Sequence, residues 1–456
     1  MPLSLPSRPI LAAALLVLTT AAAPREADHG DAAGQSLHAA PAGGPDRQQR
    51  PRHDRAAGIE VPVCESAPEG IRLPAGFCAI LAVDSIGRAR HITVAPNGDL
   101  FVALNNARSV RGGILAMRDT TGDGRMDVFE RFGGNGGTGI LLHGEHLWFA
   151  TNDAVLRYPL PAGSLRPSGP ADTIVMDLPS DRSHAAKSIA IGSDGSLFVN
   201  IGSPTNVCQP RGQRGVGAPD PCPELELRAG IWRFDSSRLR QTQSDGVRWA
   251  TGIRNAVGLA IHPSTGVLYA TQHGRDNLHA FFPEMYTAEE SAESPSEELQ
   301  RVDRGDDFGW PYCYHDNAVG RKLLAPEYGG DSQTQGRCAQ VEEPVVAFPG
   351  HWGPNALVFY TGTQFPERYR GGVFIAFHGS WNRAPQPQAG YNVAFVPFEN
   401  AAATGRYEVF ADGFAGEQVS PNTARYRPTG LAVAPDGSLY IVDGQKGRIW
   451  RVVYGA

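Results

Sequence analysis

One pattern constrains this chain more than any other. A short apolar strand, a tight turn of the Pro/Ser-Asp/Asn-Gly kind and a second apolar-aromatic strand recur six times: HITVAPNGDLFVA from His91, GILLHGEHLWFAT from Gly139, SIAIGSDGSLFVN from Ser188, VGLAIHPSTGVLYAT from Val257, ALVFYTGTQFPERYRGGVFIAF from Ala356 and TGLAVAPDGSLYIVD from Thr429. Asx-Gly turns between alternating apolar runs are the strongest local signal for a hairpin. A lone hairpin cannot bury its apolar faces, and repeats at intervals of several tens of residues solve that problem by packing against one another. Radial packing leaves only short, protected edges. The pattern therefore predicts an all-β fold, a six-bladed β-propeller with inserted loops over about residues 63–456. GRIWRVVYG near the end would supply the last strand or close the ring with N-terminal segments. A long insertion is expected at EMYTAEESAESPSEELQRVDRGDDFGWP.

Composition agrees. Among 456 residues there are 54 Gly and 36 Pro but 5 Met, which suits many short strands and turns. The formal net charge of -6, with both signs interspersed, argues against a nucleic-acid or anionic-membrane partner.

The N-terminus reads as a secretory signal over residues 1–23. One Arg precedes an apolar run from Ile10 to Leu18, and small residues follow, placing cleavage near Ala22 or Ala23. That run is too short to span the ~30 Å hydrocarbon core of a membrane, and no second one follows. Residues 24–62 are rich in Ala, Gly, Pro and charge, which predicts a disordered linker with His29, His38 and His53 solvated. A periplasmic or secreted destination also suits six cysteines. They fall as neighbouring couples, Cys64 with Cys78, Cys208 with Cys222 and Cys313 with Cys338, and sequential pairing would pin three local loops. None forms C-x-x-C or C-x-x-C-H, which removes a zinc ribbon and covalently attached haem.

In a propeller, residues just before equivalent inner strands gather round the axis at one end. Ahead of the third hairpin stands His184, ahead of the fourth Arg254 and Asn255, ahead of the fifth His351 and Trp352, and ahead of the sixth Arg425 and Arg427. One His and three Arg converging on a concave site suit a planar, multi-carboxylate ligand, because guanidinium groups grip carboxylates in bidentate fashion.

These residues, with GSPTNVC, ATGIRNAVGLA, TQHGRDNL, FPERYRGGVFIAFHGSWNR and RYRPTGLAVAPDGSLYIVD, resemble the soluble pyrroloquinoline quinone (PQQ)-dependent sugar dehydrogenases, most closely the L-sorbosone dehydrogenase-like branch. The resemblance runs from about Leu73 to the end. It implies a six-bladed propeller binding PQQ and Ca²⁺, oxidising an aldose or related hydroxy-aldehyde and passing electrons to an external quinone or cytochrome. On it, His184 is the general base, Arg254 donates to the quinone oxygens with Asn255 beside it, and Arg425 and Arg427 clamp the cofactor carboxylates. Gly274 and Arg275 offer carbonyls to calcium. The pattern departs from the family in two places. Ser203 stands where the histidine's partner Asp is expected, and HGSWNR replaces the region of a cofactor-binding Lys, leaving Arg383 or His378 to substitute. Two other functions fit the architecture: a Ca²⁺-dependent lactonase-type hydrolase, which needs carboxylates at the channel, and a non-catalytic propeller that binds glycan or protein.

DTTGDGRMDVFE sets Asp119, Thr121, Asp123, Gly124, Asp127 and Glu130 at EF-hand-like positions. Between strands, the same residues also read as a hairpin tip with Asx turns.

Overall fold

The computed structural model describes residues 70–107, 111–181, 183–210 and 218–455. Six four-stranded antiparallel sheets form the blades of a propeller, each running outward from the axis in chain order. Blade I contains Ala89–Val94, Leu100–Leu104, Gly113–Arg118 and Val128–Phe132. Blade II contains Gly137–His143, His146–Thr151, Val155–Pro159 and Asp172–Val175. Ile189–Ile191, Ser196–Ile201, Gly230–Asp235 and Val247–Thr251 build blade III. Blade IV uses Gly258–Ile261, Leu268–Gln272, Glu297–Val302 and Val346–Phe348. Blade V uses Pro354–Phe359, Val373–Phe377, Asn392–Val396 and Glu408–Ala411. Blade VI takes Pro428–Val433, Leu439–Asp443 and Ile449–Tyr454, and its outer strand is Phe77–Val83 from the other end of the chain. The six expected hairpins are the two inner strands of the six blades.

The turn chemistry explains why the hairpins form. Gly98, Gly195 and Gly437 sit at positive φ, and Asp194 and Asp436 each accept from the backbone N–H of the Ser two residues on. An arginine on the third strand then braces the turn. Arg118 pairs with Asp99, Arg233 donates to Ser196 Oγ, and Arg451 holds both Ser438 Oγ and Asp436.

At the axis the blades approach so closely that two inner strands need glycine. A Cβ on Gly430 would lie 2.3 Å from the Arg90 carbonyl oxygen, and one on Gly139 2.7 Å from that of Lys187. Between blades the core is aromatic where V meets VI: Phe77, Phe365, Tyr369, Phe374, Phe410 and Trp450 pack together.

The expected insertion is partly blade. Glu297–Val302 inside it is the third strand of blade IV, and its two glutamates are buried because Glu297 accepts from Gly274 N–H and Glu298 pairs with Lys322. True insertions flank it: two short helices, Leu278–Phe281 and Ala288–Glu293, and a hairpin, Cys313–Asp316 with Arg321–Leu324. Cys208–Cys222 and Cys313–Cys338 are bonded as expected. Cys78 is disulfide-bonded as well, but its expected partner Cys64 lies outside the described residues, as do segments 1–23 and 24–62. No helix among the described residues is long and apolar enough to cross a membrane.

The loop after Arg118 is a set of Asx turns. Asp119 accepts from the N–H groups of Thr121, Gly122 and Gly124, Asp127 from Thr120, and Glu130 pairs with Arg166. Its carboxylates are spent on local donors, and among the described residues no group of three or more His, Cys, Asp or Glu is placed to hold a metal ion.

Candidate functional site

First strands begin, and second strands end, at the same end of a propeller. That end collects His184, Ser203, Arg254, His273, Asp276, Pro354, His378 and Arg427, and direct contacts link them across blades III to VI.

His184 sits in the turn before blade III with φ 51°, a left-handed conformation that a non-Gly residue adopts only under local constraint. Its Nδ1 lies 2.7 Å from the Ser203 carbonyl oxygen and 3.2 Å from Ser203 Oγ. Because that hydroxyl donates to the Thr205 carbonyl, Ser203 turns two acceptors toward the ring. Nδ1 must therefore carry the proton, which leaves Nε2 with a free lone pair. The missing partner acid is thus replaced by a main-chain carbonyl, which sets the tautomer without adding negative charge. Burial among packed atoms, reinforced by the nearby Arg254 guanidinium, pushes the imidazole down to about 3, although its edge keeps solvent access.

Arg254, 6% exposed, lies one step further round, its carbonyl accepting from Ser203 N–H. Nη1 donates to the Gly274 carbonyl at 2.8 Å and Nη2 to Asp276 at 2.7 Å, while the buried Nε and the neighbouring buried Asn255 Oδ1 have no partner. Asp276 was not singled out from the sequence, yet it is the hub: it also accepts from Asn382 at 2.6 Å and lies 3.3 Å from His351 Nδ1. Burial alone would raise its carboxyl, but Arg254 and His351 outweigh that and hold it well below the usual carboxylate range. Burial would lower His351, and Asp276 reverses the sign and raises it.

On the far side, Arg427 donates to the carbonyls of His378 and Gly379 at 2.7 and 2.8 Å. His378 faces His273 across 6.1 Å between ring centres, and His273 and His91 bond the carbonyls of Pro354 and Asn355. Arg90, also unremarked in the sequence, is the second residue of the first inner strand. Burial, then Arg88 and Arg427, push its guanidinium down to about 10, and no carboxylate pairs with it among the described residues. Burial lowers His91 and His273 to about 4 and holds His378 well below its ordinary value, so these imidazoles are neutral at pH 7.

The other expected residues are placed differently. Arg425 is exposed on the segment leading to Arg427. Arg383 is buried, and its guanidinium donates to the carbonyls of Pro387, Ala292 and Gly350 and pairs with Glu293. It ties the loop after blade V's second strand to the helix Ala288–Glu293, and four of its five N–H groups are committed to those partners. The Arg275 side chain is sealed against Glu327, both under 3% exposed. The Gly274 carbonyl expected to face calcium already accepts from Arg254, so a cation there would have to displace a guanidinium.

Below this mouth the inner strands enclose an axial cavity of about 360 Å³ whose walls are mostly aliphatic, including Ile92, Ile140, Ile189, Leu259, Leu357 and Leu431. Charge and hydrogen-bonding groups are concentrated at the mouth, with an uncompensated Arg90 and Arg427 opposite the neutral His184.

Known proteins share this fold. A curated PQQ-dependent pyranose dehydrogenase of Coprinopsis cinerea is 25% identical over 301 residues, which is 56% of this chain and 37% of that protein. The chain spans between 37% and 61% of the length of the curated relatives it matches. The holo form of the pyranose dehydrogenase PQQ domain from Coprinopsis cinerea superimposes with a TM-score of 0.67 at 20% identity, covering 86% of this chain and 99% of that one. The iodide structure of a Trichoderma reesei carbohydrate-active enzyme of family AA12 gives a TM-score of 0.69 at 18% identity, covering 86% and 100%. A family model that fits residues 71–455 places this chain in the TrAA12-like family, to which it belongs.

Proposed function

We propose that the protein is an exported sugar oxidoreductase that binds PQQ at the channel mouth and oxidises an aldose or related hydroxy-aldehyde, sorbosone-like in class. The observation that carries this reading is the His184 tautomer: Nδ1–H is committed to the Ser203 carbonyl, so Nε2 is a ready proton acceptor. The mouth also fits a planar polyanion. Arg90 and Arg427 have no carboxylate partner within ion-pair distance among the described residues, and the buried Arg254 Nε–H donor is unpaired.

Bound PQQ would supply an electron-poor quinone carbon that takes up a hydride with its electron pair. The chain's own residues do the rest. His184 Nε2 accepts the proton of the substrate hydroxyl as the C–H bond breaks. Arg254, held in place by Asp276, directs a fixed positive charge to where negative charge develops. Arg427 and Arg90 would hold carboxylates, and Asn255 would offer its amide. The two electrons then leave to an external quinone or cytochrome. The residues present suit calcium less well, because Arg254 occupies the Gly274 carbonyl, and no step is assigned to it. The lactonase reading needs free carboxylates at the mouth, whereas Asp276 is tied to Arg254, Asn382 and His351.

Titrating the protein with PQQ, with and without Ca²⁺, and assaying a sugar panel with an artificial electron acceptor tests this. Saturable binding and acceptor reduction are expected, and His184→Ala should lower turnover about 10²–10⁴-fold while PQQ still binds. Absence of PQQ binding would overturn the reading; turnover retained in His184→Ala would remove His184 as the base.

A further inference from the structure

Lys187 is a buried cation that the proposed chemistry does not use. It is 1% exposed, and its ammonium makes one hydrogen bond, to the Ala185 carbonyl at 2.8 Å, with no ion pair among the described residues. Asp153 and Asp181 act on it only at longer range and Arg228 opposes them, while burial pushes the ammonium down to about 7. Holding an ammonium there costs desolvation that a single neutral acceptor only partly offsets. A methionine of similar length would avoid that cost.

What the ammonium holds is the turn that presents His184. His184 is left-handed, and the three carbonyls that follow are each tied by a different donor. Ala186 accepts from Asn200 Nδ2 at 3.4 Å, and Lys187 from Gly139 N at 2.9 Å. Ala185, next to the histidine, is tied by Lys187 Nζ. On the other side of the ring Gly202 is pressed so close that a Cβ would lie 2.6 Å from His184 Cβ, so the imidazole is trapped between the Ser203 strand end and a turn that Lys187 keeps in shape.

We infer that Lys187 is a positioning residue, whose ammonium fixes the Ala185 carbonyl and thereby holds the His184 ring with Nδ1 on the Ser203 carbonyl. This rests on reading His184 as the proton acceptor, but the first readout below needs neither cofactor nor turnover.

Long-range ¹H–¹⁵N spectra of the cofactor-free protein, with His184 assigned through His184→Gln, report which ring nitrogen carries the proton. Wild type should show the Nδ1–H form. Lys187→Met should show a mixture with the Nε2–H form while keeping or raising Tm, because the buried charge is gone. Lys187→Gln retains an N–H donor and should return most of the Nδ1–H form. With PQQ, Lys187→Met should turn over about 10²-fold more slowly than wild type, in line with a small misplacement of a reacting group. A pure Nδ1–H signal in Lys187→Met would overturn the inference, whatever the activity. So would a loss of Tm with the tautomer unchanged, which marks a purely structural lysine. If Lys187→Met does not fold, Lys187→Ala, which also removes the donor, decides: a mixture of tautomers supports the inference and a pure Nδ1–H signal overturns it. Failure of the base assignment itself shows separately, as turnover in His184→Ala.

Discussion

A histidine that hydrogen-bonds a carbonyl rather than a carboxylate is a weaker but more persistently neutral base. Burial and Arg254 keep His184 unprotonated down to about pH 3, so its acceptor form persists through mild acid. Turnover on PQQ should then lack an acidic limb between pH 5 and 7; a limb centred near the ordinary imidazole value of about 6.5 would contradict this. Ser203→Asp places a carboxylate where Oγ now stands, 3.2 Å from Nδ1. Anionic charge there favours imidazolium, and a His184 titration followed by NMR should rise by about 1 to 3 pH units. At this scale the sequence was readable wherever an offset rule applied. His184, Arg254 and Arg427 stand within five residues ahead of the first strands of their blades, and the structure draws them to one mouth. Arg90 stands just ahead of the first hairpin copy, in RARHITV, at the start of the first inner strand, and extending the reading to that copy would have found it. Asp276 was not readable, because it follows a second strand and its importance lies in partners 22, 75 and 106 residues away. Arg383 was misplaced because a lone arginine in a loop gives no hint that Ala292, Gly350 and Glu293 come round to meet it.

At the scale of elements, three of the six inner hairpins announce themselves through Asx-Gly turns, whose glycines sit at φ > 0 whatever packs around them. The outer strands do not. Asp172–Val175 and Glu408–Ala411 are short and half-exposed, so neither alternation nor composition marks them. Glu297–Val302 was hidden for the opposite reason: EELQRV looks solvated, and only distant donors such as Lys322 make its burial tolerable. The arginine braces add a feature that the turns alone did not suggest. Arg451 and Asp436 are both under 8% exposed, whereas Arg301 and Asp303 are about half-exposed. Arg451→Ala leaves a buried carboxylate unpaired and should cost about 3–5 kcal/mol, while Arg301→Ala should cost under ~1 kcal/mol. Urea unfolding of the two variants checks the contrast, and equal midpoints would show that the brace is not what secures the turn.

Over the whole molecule, the mouth stores a pH dependence. His91 and His273 are held neutral to about pH 4, and burial holds His378 well below its ordinary value too, whereas unfolded imidazoles bind protons below about 6.5. Between those values the unfolded chain carries more protons, so stability is complete above about pH 6.5 and falls as the pH drops toward 4. Urea midpoints of the cofactor-free protein should decline across that window, and a flat profile would contradict it. The closure of the ring has its own consequence. Blade VI takes three strands from the end of the described chain and its fourth from Phe77–Val83, so Phe77 finds Tyr454 only after every other blade has been made. A ribosome or translocation pore therefore releases this protein with an open seam until its last strand emerges. Until then Phe77–Val83 is an unpaired edge. Any product that stops before Ile449 would keep that edge, and quality control would meet it as a sticky, incomplete circle rather than as a slightly shorter propeller.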